Sequence, residues 1–257
     1  MSDELIQWPG AKYWTKCFNP IIGCRKLSPA CENCYAEAFV KRFNMTGCEC
    51  NGFEPTRKEN GKKMPQRGVV FCGNITDLFG SWVTPEEQDK WFEDMNQSVT
   101  KDGRHEAAYL WLTKRPGNMA HAIHDSYEWL GDNAYFGFTA ENQEWYNKRI
   151  SEWRFGKPTW ANGWLSAEPL LSSIDLGLNY IAPEDMPFKW IVVGCESGPQ
   201  RRPCKIEWVE GIVDQALSRG IPVFVKQLDI DGKCVRDIEK FPQHLQIRQV
   251  PWKGRYQ

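Results

Sequence analysis

The sequence predicts an α/β protein whose mostly parallel strands close, or nearly close, into a partial TIM-like barrel. Short runs rich in Val, Ile, Phe, Tyr and Trp alternate with amphipathic stretches of ten or more residues, which is the pattern of βα units. Most of these runs are apolar at nearly every position. Strands of a parallel sheet have this character because helices cover both of their faces.

Seven strands and five helices are predicted. The strands lie at 13–18, 69–72, 108–112, 135–139, 163–166, 190–194 and 221–225, and the helices at 35–44, 85–99, 117–129, 142–154 and 206–219. The second helix has the clearest start, because Thr84 supplies a cap hydroxyl, Pro85 takes the first helical position and Glu87 completes a capping box. Gly220 fits the end of the last helix.

The chain is predicted to form one domain over residues 1–257, since α/β barrels of about 200–250 residues are often single units. Residues 45–67 are predicted to be an insertion loop, because this polar segment has three glycines, two prolines and no periodicity. Residues 229–257 are predicted to form a C-terminal extension. A second irregular stretch is expected at about 172–187.

Composition excludes several classes of protein. No apolar run reaches the roughly 18–20 residues of a membrane helix, and residues 1–10 lack the order of a signal peptide, so no membrane association and a cytoplasmic location are expected. In that reducing compartment, ten cysteines favour metal binding, catalysis or core packing over five disulfides. The formal charge of -1 argues against strong nonspecific binding to nucleic acid, although a local basic patch stays possible.

Three of the cysteines, Cys24, Cys31 and Cys34, form a C-x6-C-x2-C motif after the first predicted strand and at the start of the first helix. Thiolates this close can converge on one soft metal centre, and a helix N-terminus stabilises their charge. Four thiolates saturate a cubane iron-sulfur cluster, whereas three leave one iron open to an outside ligand. The motif therefore favours an open [4Fe-4S] cluster.

Two other interpretations of this motif stay open. Unligated core thiols are disfavoured because Arg25, Lys26 and Pro29 make the loop polar. A structural zinc site needs four closed ligands. Its fourth ligand would be one of three further cysteines, Cys17, Cys48 or Cys50. In that case the chain would be a zinc-stapled nucleic-acid-binding module without catalysis.

Polar residues follow the later predicted strands at the end where barrel enzymes work. Basic side chains there suit a carboxylate, hydroxyl groups suit a ribose, and carboxylates suit a ligand amine or proton transfer. Capped turns, a solvated basic pair, a helix cap and salt bridges to Arg201 or Arg202 are the structural alternatives. The candidates are Gly73, Asn74, Asp77, Lys114, Thr139, Glu141, Ser166, Glu168, Cys195 and Glu196.

The motifs together resemble the radical S-adenosylmethionine enzymes, in particular the C-x6-C-x2-C group that bacteriophages frequently encode. The resemblance spans about residues 14–228. The wider superfamily has the shorter C-x3-C-x2-C spacing, and Cys195 stands where that group has glycine. The matching motifs are Asn-Pro-Ile-Ile-Gly-Cys at 19–24, Ser-Pro-Ala-Cys-Glu-Asn-Cys-Tyr-Ala at 28–36, Asp-Leu-Phe at 77–79, Leu-Thr-Lys-Arg-Pro at 112–116, Glu-Pro-Leu-Leu at 168–171, Glu-Ser-Gly-Pro at 196–199 and Lys-Gln at 226–227.

This resemblance implies a partial (βα)6 barrel of the radical S-adenosylmethionine kind, with the [4Fe-4S] cluster on Cys24, Cys31 and Cys34. It also implies that an external electron donor reduces the cluster and that S-adenosylmethionine yields a 5′-deoxyadenosyl radical, which abstracts hydrogen from an unactivated carbon. The implied catalytic residues are Glu168, Cys195 and Glu196. The implied contacts of S-adenosylmethionine are Tyr35, Gly73, Asn74, Asp77, Lys114, Thr139, Glu141 and Ser166.

The substrate is implied only by association with phage members of the group. These suggest a nucleic acid or modified nucleoside, with an isomerase that rearranges an amino-acid substituent on thymine during hypermodification of phage DNA in the host cytoplasm. A radical DNA-repair lyase is the alternative within the same chemistry. Neither outcome follows from fold alone.

Overall fold

The computed structural model describes residues 6–46, 52–58, 63–97, 105–125, 130–156, 162–252 and 256. These residues form a mixed α/β fold. The strands are β1 (Ile6–Gln7), β2 (Lys16–Phe18), β3 (Ile21–Ile22), β4 (Thr56–Arg57), β5 (Gly68–Cys72), β6 (Ala107–Thr113), β7 (Ala134–Thr139), β8 (Asn162–Ala167), β9 (Trp190–Gly194), β10 (Val223–Ile230), β11 (Lys233–Val235) and β12 (Gln249–Val250). The α-helices are α1 (Tyr35–Arg42), α2 (Pro85–Asn96), α3 (Pro116–Asp125), α4 (Gln143–Gly156) and α5 (Ile206–Leu217).

Eight strands form one curled sheet in the order β11-β10-β9-β8-β7-β6-β5-β2. Every neighbouring pair from β2 to β10 is parallel, and only β11 joins antiparallel, as a hairpin with β10. The sheet is a half-barrel with β2 and β11 as its two edges. The prediction of an α/β fold with mostly parallel strands is confirmed.

Six connections join the seven parallel strands, and within the described ranges five of them contain an α-helix. The connection from β8 to β9 instead passes through short 3-10 turns at Leu178–Tyr180 and Pro183–Asp185. This agrees with the irregular stretch predicted at 172–187. The strands of the predicted (βα)6 repeat are therefore present, but 3-10 turns replace the helix of one unit.

The C-terminal segment takes part in the sheet. Strand β10 continues to Ile230, and β11 adds a further strand, so the boundary predicted at residue 229 falls inside a strand. Strand β12 then pairs with β1 and brings the two ends of the chain together.

The predicted insertion at 45–67 also contains structure in its described parts. Its strand β4 pairs with β3, and the Phe53 carbonyl accepts a hydrogen bond of 2.7 Å from the Cys24 amide. The segment therefore supports the backbone at the first cysteine of the motif. Cys48 and Cys50 lie outside the described residues.

The start of α2 is the one predicted from the sequence. The Glu87 amide donates to the Thr84 hydroxyl at 3.3 Å, and the Thr84 amide donates to the Glu87 carboxylate at 3.0 Å. These bonds satisfy two donors that a helix N-terminus would otherwise leave free. None of the described helices combines the length and apolar character needed to cross a membrane.

The two faces of the sheet carry separate cores because strand side chains alternate between faces. Helices α2 to α5 cover the outer face. The inner face holds an aromatic cluster in which the Tyr13 ring centroid lies 5.0 Å from that of Trp190 and 5.2 Å from that of Phe224. Large rings fill the concave side of a half-barrel, and this cluster forms a solid base beneath the strand ends.

Close packing across this sheet gives a stability prediction. A Cβ added at Gly137 would lie 2.5 Å from the Trp164 carbonyl oxygen and 2.6 Å from its ring, both of them buried. Gly137→Ala should therefore lower the free energy of unfolding by about 1–3 kcal/mol in urea denaturation. Gly211→Ala is the matched control, since it lies in open space within α5 and should raise stability by about 0.5–1 kcal/mol. Equal effects of the two variants would contradict this packing.

Candidate functional site

A pocket lies at the carboxyl ends of the parallel strands, above the aromatic cluster. It encloses about 1080 Å³ of empty space, part of it open to solvent. All the residues predicted for the site line this pocket except Glu141. They are Cys24, Cys31, Cys34, Tyr35, Gly73, Asn74, Asp77, Lys114, Thr139, Ser166, Glu168, Cys195 and Glu196.

The cysteine loop, residues 23–34, forms one wall of the pocket. Cys31 ends a 3-10 turn that begins at Pro29, and Cys34 is the N-cap of α1. None of the eight cysteines that the structure describes forms a disulfide. Three of them therefore reach the pocket from a single loop of eleven residues between Cys24 and Cys34.

The thiols of this loop differ in acidity. Burial, followed by the nearby Asp77 carboxylate, raises the pKa of Cys24 to about 12. Burial also acts to raise the pKa of Cys31, but the Lys114 ammonium and hydrogen bonds to the backbone at Leu27 and Ser28 outweigh it, so this pKa is lowered. The pocket thus makes the Cys31 thiol more acidic than the Cys24 thiol.

Cluster binding can be tested against this arrangement. Within the described ranges, no group of three or more His, Cys, Asp or Glu side chains is placed to hold a metal ion, so the three thiols would have to reorient. The donor set itself fits a [4Fe-4S] cluster, because three free thiols share one wall beside cationic side chains. Cys17, suggested as a reserve ligand, does not line the pocket.

Three arginine-carboxylate pairs at the strand ends hold the cysteine loop. Each pair also contributes one hydrogen bond to the loop backbone, and we call them the three clamp pairs. They are Arg115 with Asp77, Arg149 with Glu141, and Arg202 with Glu196. Their side chains come from positions after β5, β6, β7 and β9, so four strands of the sheet hold the loop.

The first clamp pair joins the ends of β5 and β6. Asp77 is 6% exposed and accepts bonds from the Thr113 hydroxyl at 2.7 Å, the Lys114 amide at 3.1 Å and the Arg115 guanidinium at 2.8 Å. Arg115 also donates to the Arg25 carbonyl at 3.1 Å. Both carboxylate oxygens of Asp77 are therefore engaged within the protein, and its role here is to orient the loops.

The second clamp pair is fully buried and explains why Glu141 does not reach the pocket. The Glu141 carboxylate accepts a hydrogen bond of 2.6 Å from Arg149 and one of 3.4 Å from the Ala30 amide of the cysteine loop. Arg149 also donates to the Thr139 carbonyl at 2.8 Å. Glu141 thus supports the cysteine loop from behind, whereas from the sequence it is expected among the contacts of S-adenosylmethionine.

The third clamp pair closes the opposite side. Arg202 binds Glu196 with bonds of 2.5 and 3.0 Å, and donates to the Pro29 carbonyl at 2.9 Å. Asn33 adds a bond of 3.1 Å to the same carboxylate. Burial opposes ionisation of Glu196, but the hydrogen bonds and charge of Arg202 outweigh it, so the pKa of Glu196 is lowered.

Glu168 and Lys226 form a separate ion pair inside the pocket, with distances of 2.7 and 2.9 Å between the ammonium and the two carboxylate oxygens. Gln227 donates to the same carboxylate at 2.8 Å. The pairing register of β9 and β10 shifts between Val225 and Gln227, and such a bulge redirects the intervening side chain. The bulge therefore accounts for Lys226 facing the pocket.

Cys195 is fully buried on the pocket wall, and its thiol is hydrogen-bonded to that of Cys234. This bond, followed by burial, raises the pKa of Cys195, while the same bond lowers the pKa of Cys234 to about 6. Cys195 therefore presents a protonated thiol to the pocket.

Tyr35 and the turn after β5 form the rim next to the cysteine loop. The Tyr35 hydroxyl donates to the Asn74 carbonyl at 2.5 Å, and the Asn19 amide donates to the Asn74 side chain at 2.7 Å. Gly73 has a φ of +77°, and a Cβ there would lie 2.8 Å from Leu78. Only glycine fits this turn without strain, which keeps the backbone close to the pocket.

Among the charged side chains that line the described pocket, Lys114 alone has no ion pair or hydrogen bond from its side chain. The others, Arg25, Lys26, Asp77, Arg115, Glu168, Glu196 and Lys226, all bind an opposite charge. The Lys114 ammonium is therefore available to an anionic group of a ligand.

The sequence reasoning did not identify Arg149 and Asn33. Arg149 lies three residues after Tyr146 and four before Trp153, both buried, so it occupies the apolar stripe of α4. An arginine at such a position requires a buried carboxylate. That spacing was the available signal, whereas nothing local in the sequence marks the contact of Asn33.

Comparison with known proteins gave one family. The model of DUF5131, described as a protein of unknown function, matches residues 9–244. Neither the curated proteins nor the solved structures gave a match.

Removing the arginine of the second clamp pair should destabilise the protein strongly. Arg149→Met leaves the Glu141 carboxylate buried and unpaired, which should cost about 3–5 kcal/mol of unfolding free energy in urea. Adding Glu141→Gln should recover part of that loss because the buried charge is gone. Arg154→Met on the exposed side of α4 is the control and should change stability by at most about 0.5 kcal/mol. A similar loss in both arginine variants would contradict the role of the pair.

The lowered pKa of Glu196 predicts a pH-dependent contribution to stability. A carboxylate with a depressed folded-state pKa stabilises fully above its ordinary value of 4.5 and loses this effect as pH falls through the folded value. Glu196→Gln should cost about 1.5–3 kcal/mol at pH 7. The difference from wild type, followed by urea denaturation at several pH values, should shrink below pH 4.5. A constant difference would show that the charge of Glu196 is not involved.

Proposed function

The chain belongs to the DUF5131 family, and we propose that it is a radical S-adenosylmethionine enzyme that acts on a substituent of a nucleobase. One observation carries this proposal. Three free thiols from one loop share a pocket with Lys114, which alone among the described charged lining residues has no ion pair, and with polar groups from the ends of the parallel strands.

In this proposal Cys24, Cys31 and Cys34 hold a [4Fe-4S] cluster. The clamp pairs bond to the loop backbone beside these residues, which fixes the loop and leaves the thiols themselves free. When bound, the cluster would supply one electron to S-adenosylmethionine and thereby a 5′-deoxyadenosyl radical. An external donor would have to provide that electron.

The remaining polar groups suit the parts of S-adenosylmethionine. Lys114 is the group available for the methionine carboxylate, since an unpaired ammonium in a partly buried pocket binds an anion without first breaking another ion pair. The close backbone at Gly73 and Asn74 supports the methionine amino group. Thr139 and Ser166, both buried at the ends of neighbouring strands, are suited to the ribose hydroxyls.

The substrate side of the pocket lies toward Glu168, Lys226 and Cys195. An amino-acid substituent on a base carries an ammonium and a carboxylate. In the proposed complex its ammonium binds Glu168 and its carboxylate binds Lys226, in place of the ion pair between these two residues. The protonated thiol of Cys195 lies on the same wall. These groups, with the aromatic floor that excludes water, favour an isomerase that rearranges such a substituent.

Production of 5′-deoxyadenosine tests this function. The full chain is reconstituted anaerobically with iron and sulfide, reduced with dithionite and incubated with S-adenosylmethionine. We expect a coloured protein with about four iron atoms per chain that forms 5′-deoxyadenosine. Cys31→Ala should lose both the cluster and the product, whereas Cys234→Ala, outside the cysteine loop, should keep the cluster.

Iron content and circular dichroism accompany the product assay, so a variant that fails to fold is recognised. A colourless wild-type protein that binds only zinc and forms no 5′-deoxyadenosine would refute the proposal. Equal loss of iron in Cys31→Ala and Cys234→Ala would show that the ligands are assigned wrongly.

A further inference from the structure

Helix α1, which follows the cysteine loop, has apolar residues on two adjacent faces, one buried and one exposed. On one face Ala36 and Val40 are buried in a small core with Ile22 and Ile75. This packing already joins the helix to the rest of the fold. The apolar residues on its other face therefore have no role in that core.

That other face carries three aromatic residues at spacings of four, which we call the aromatic stripe. Tyr35, Phe39 and Phe43 are 49%, 46% and 57% exposed, and the centroids of the two phenylalanine rings are 4.8 Å apart. Residues four apart lie on one face of a helix. An apolar patch of this kind exposed to water is typical of an interaction site.

The aromatic stripe is continuous with the pocket. Tyr35 lines the pocket and is anchored through its hydroxyl to Asn74, while Phe43 lies just beyond the far end of α1. Eight helical residues cover about 12 Å. That length matches about three bases stacked at the 3.4 Å spacing of a nucleic-acid strand.

The stripe lies in a segment of positive net charge. Residues 24–44 contain four Lys or Arg side chains and two Glu, in a chain whose formal charge is -1. Arg25, Lys26 and Lys41 pair with Glu54 or Glu37, and Arg42 lies beside the stripe itself. The Arg42 guanidinium lies 5.6 Å from the Phe43 ring centroid, and Lys41 at the same end of the helix binds Glu37 at 2.6 Å. Aromatic faces interleaved with cations are the features that bind single strands.

We propose that the aromatic stripe is a stacking platform for single-stranded nucleic acid and leads the strand to the pocket. This names the substrate of the proposed function as a polymer with exposed bases, and it rests on that function for what happens inside the pocket. Bases stack on the faces of Phe39 and Phe43, and Tyr35 stands at the pocket mouth. Duplex DNA, whose bases are already stacked, lacks the free faces that the platform binds.

Fluorescence anisotropy of a labelled twelve-nucleotide strand tests the platform, with the full chain at low salt. One base-aromatic stack is worth about five-fold to 150-fold in affinity. Phe39→Ala/Phe43→Ala should therefore weaken binding of the single strand by at least about 30-fold. Tyr180→Ala is the matched control, because Tyr180 is 92% exposed on the connection between β8 and β9 and should bind as wild type does.

Four outcomes would overturn the proposal: unchanged affinity in the double variant, an equal loss in Tyr180→Ala, equal binding of a duplex of the same length, or binding too weak to measure in the wild type. Circular dichroism checks that the variants fold.

Two other occupants of the stripe are distinguishable. A wild-type dimer that the double variant abolishes, with strand binding unchanged, would assign the stripe to a second copy of the chain. A double variant that binds the strand normally but forms 5′-deoxyadenosine only with dithionite, and not with a protein reductant, would assign it to the electron donor. Either result would overturn the platform.

The test separates the two proposals. Strand binding that depends on the stripe in a protein that forms no 5′-deoxyadenosine supports the platform and refutes the radical chemistry. If the protein forms 5′-deoxyadenosine but Phe39→Ala/Phe43→Ala binds the strand as wild type does, the radical chemistry is supported and the platform is refuted.

Discussion

The clamp pairs are the constraint on which the candidate site depends. A buried charge is tolerated only when an opposite charge and hydrogen bonds compensate it, so each carboxylate at the strand ends fixes the position of one arginine. Each pair in turn bonds to the backbone of the cysteine loop, at Arg25, Pro29 and Ala30. The loop has little regular structure of its own, and its position therefore follows from charges supplied by the sheet.

This arrangement divides the pocket into two kinds of polar group. Most charged side chains in the pocket form an ion pair with an opposite charge. This pairing makes the walls rigid and leaves the pocket close to electrically neutral. Lys114 is the exception among the described lining residues, and the Glu168–Lys226 pair lies in the pocket without a bond to the cysteine loop. A ligand with one free carboxylate and a second charged end would therefore meet a matching partner at two separated points.

The sequence predicted six of the seven parallel-strand ends to within one residue, because buried parallel strands are continuous apolar runs and the residues after them share one edge of the sheet. The end of the last strand was wrong, since β10 continues past 225 to Ile230. The sequence also placed most site residues around one pocket. Two features depended on tertiary context. Lys226 faces the pocket through a bulge that no local pattern signals, and Glu141 turns away from it because Arg149 lies buried beneath the cysteine loop. The sequence predicts an irregular stretch between β8 and β9, and the structure has short 3-10 turns there.

The order of synthesis gives the clamp pairs a consequence in time. Their bonds to the cysteine loop join residues separated by 90, 111 and 173 positions. The cysteines leave the ribosome early, yet their last support, Arg202, emerges when most of the chain has been made. Contacts this distant form late in folding. A nascent chain therefore carries three accessible thiols before Arg202 can hold their loop, and in the proposed function cluster insertion into the finished site would follow synthesis of that residue.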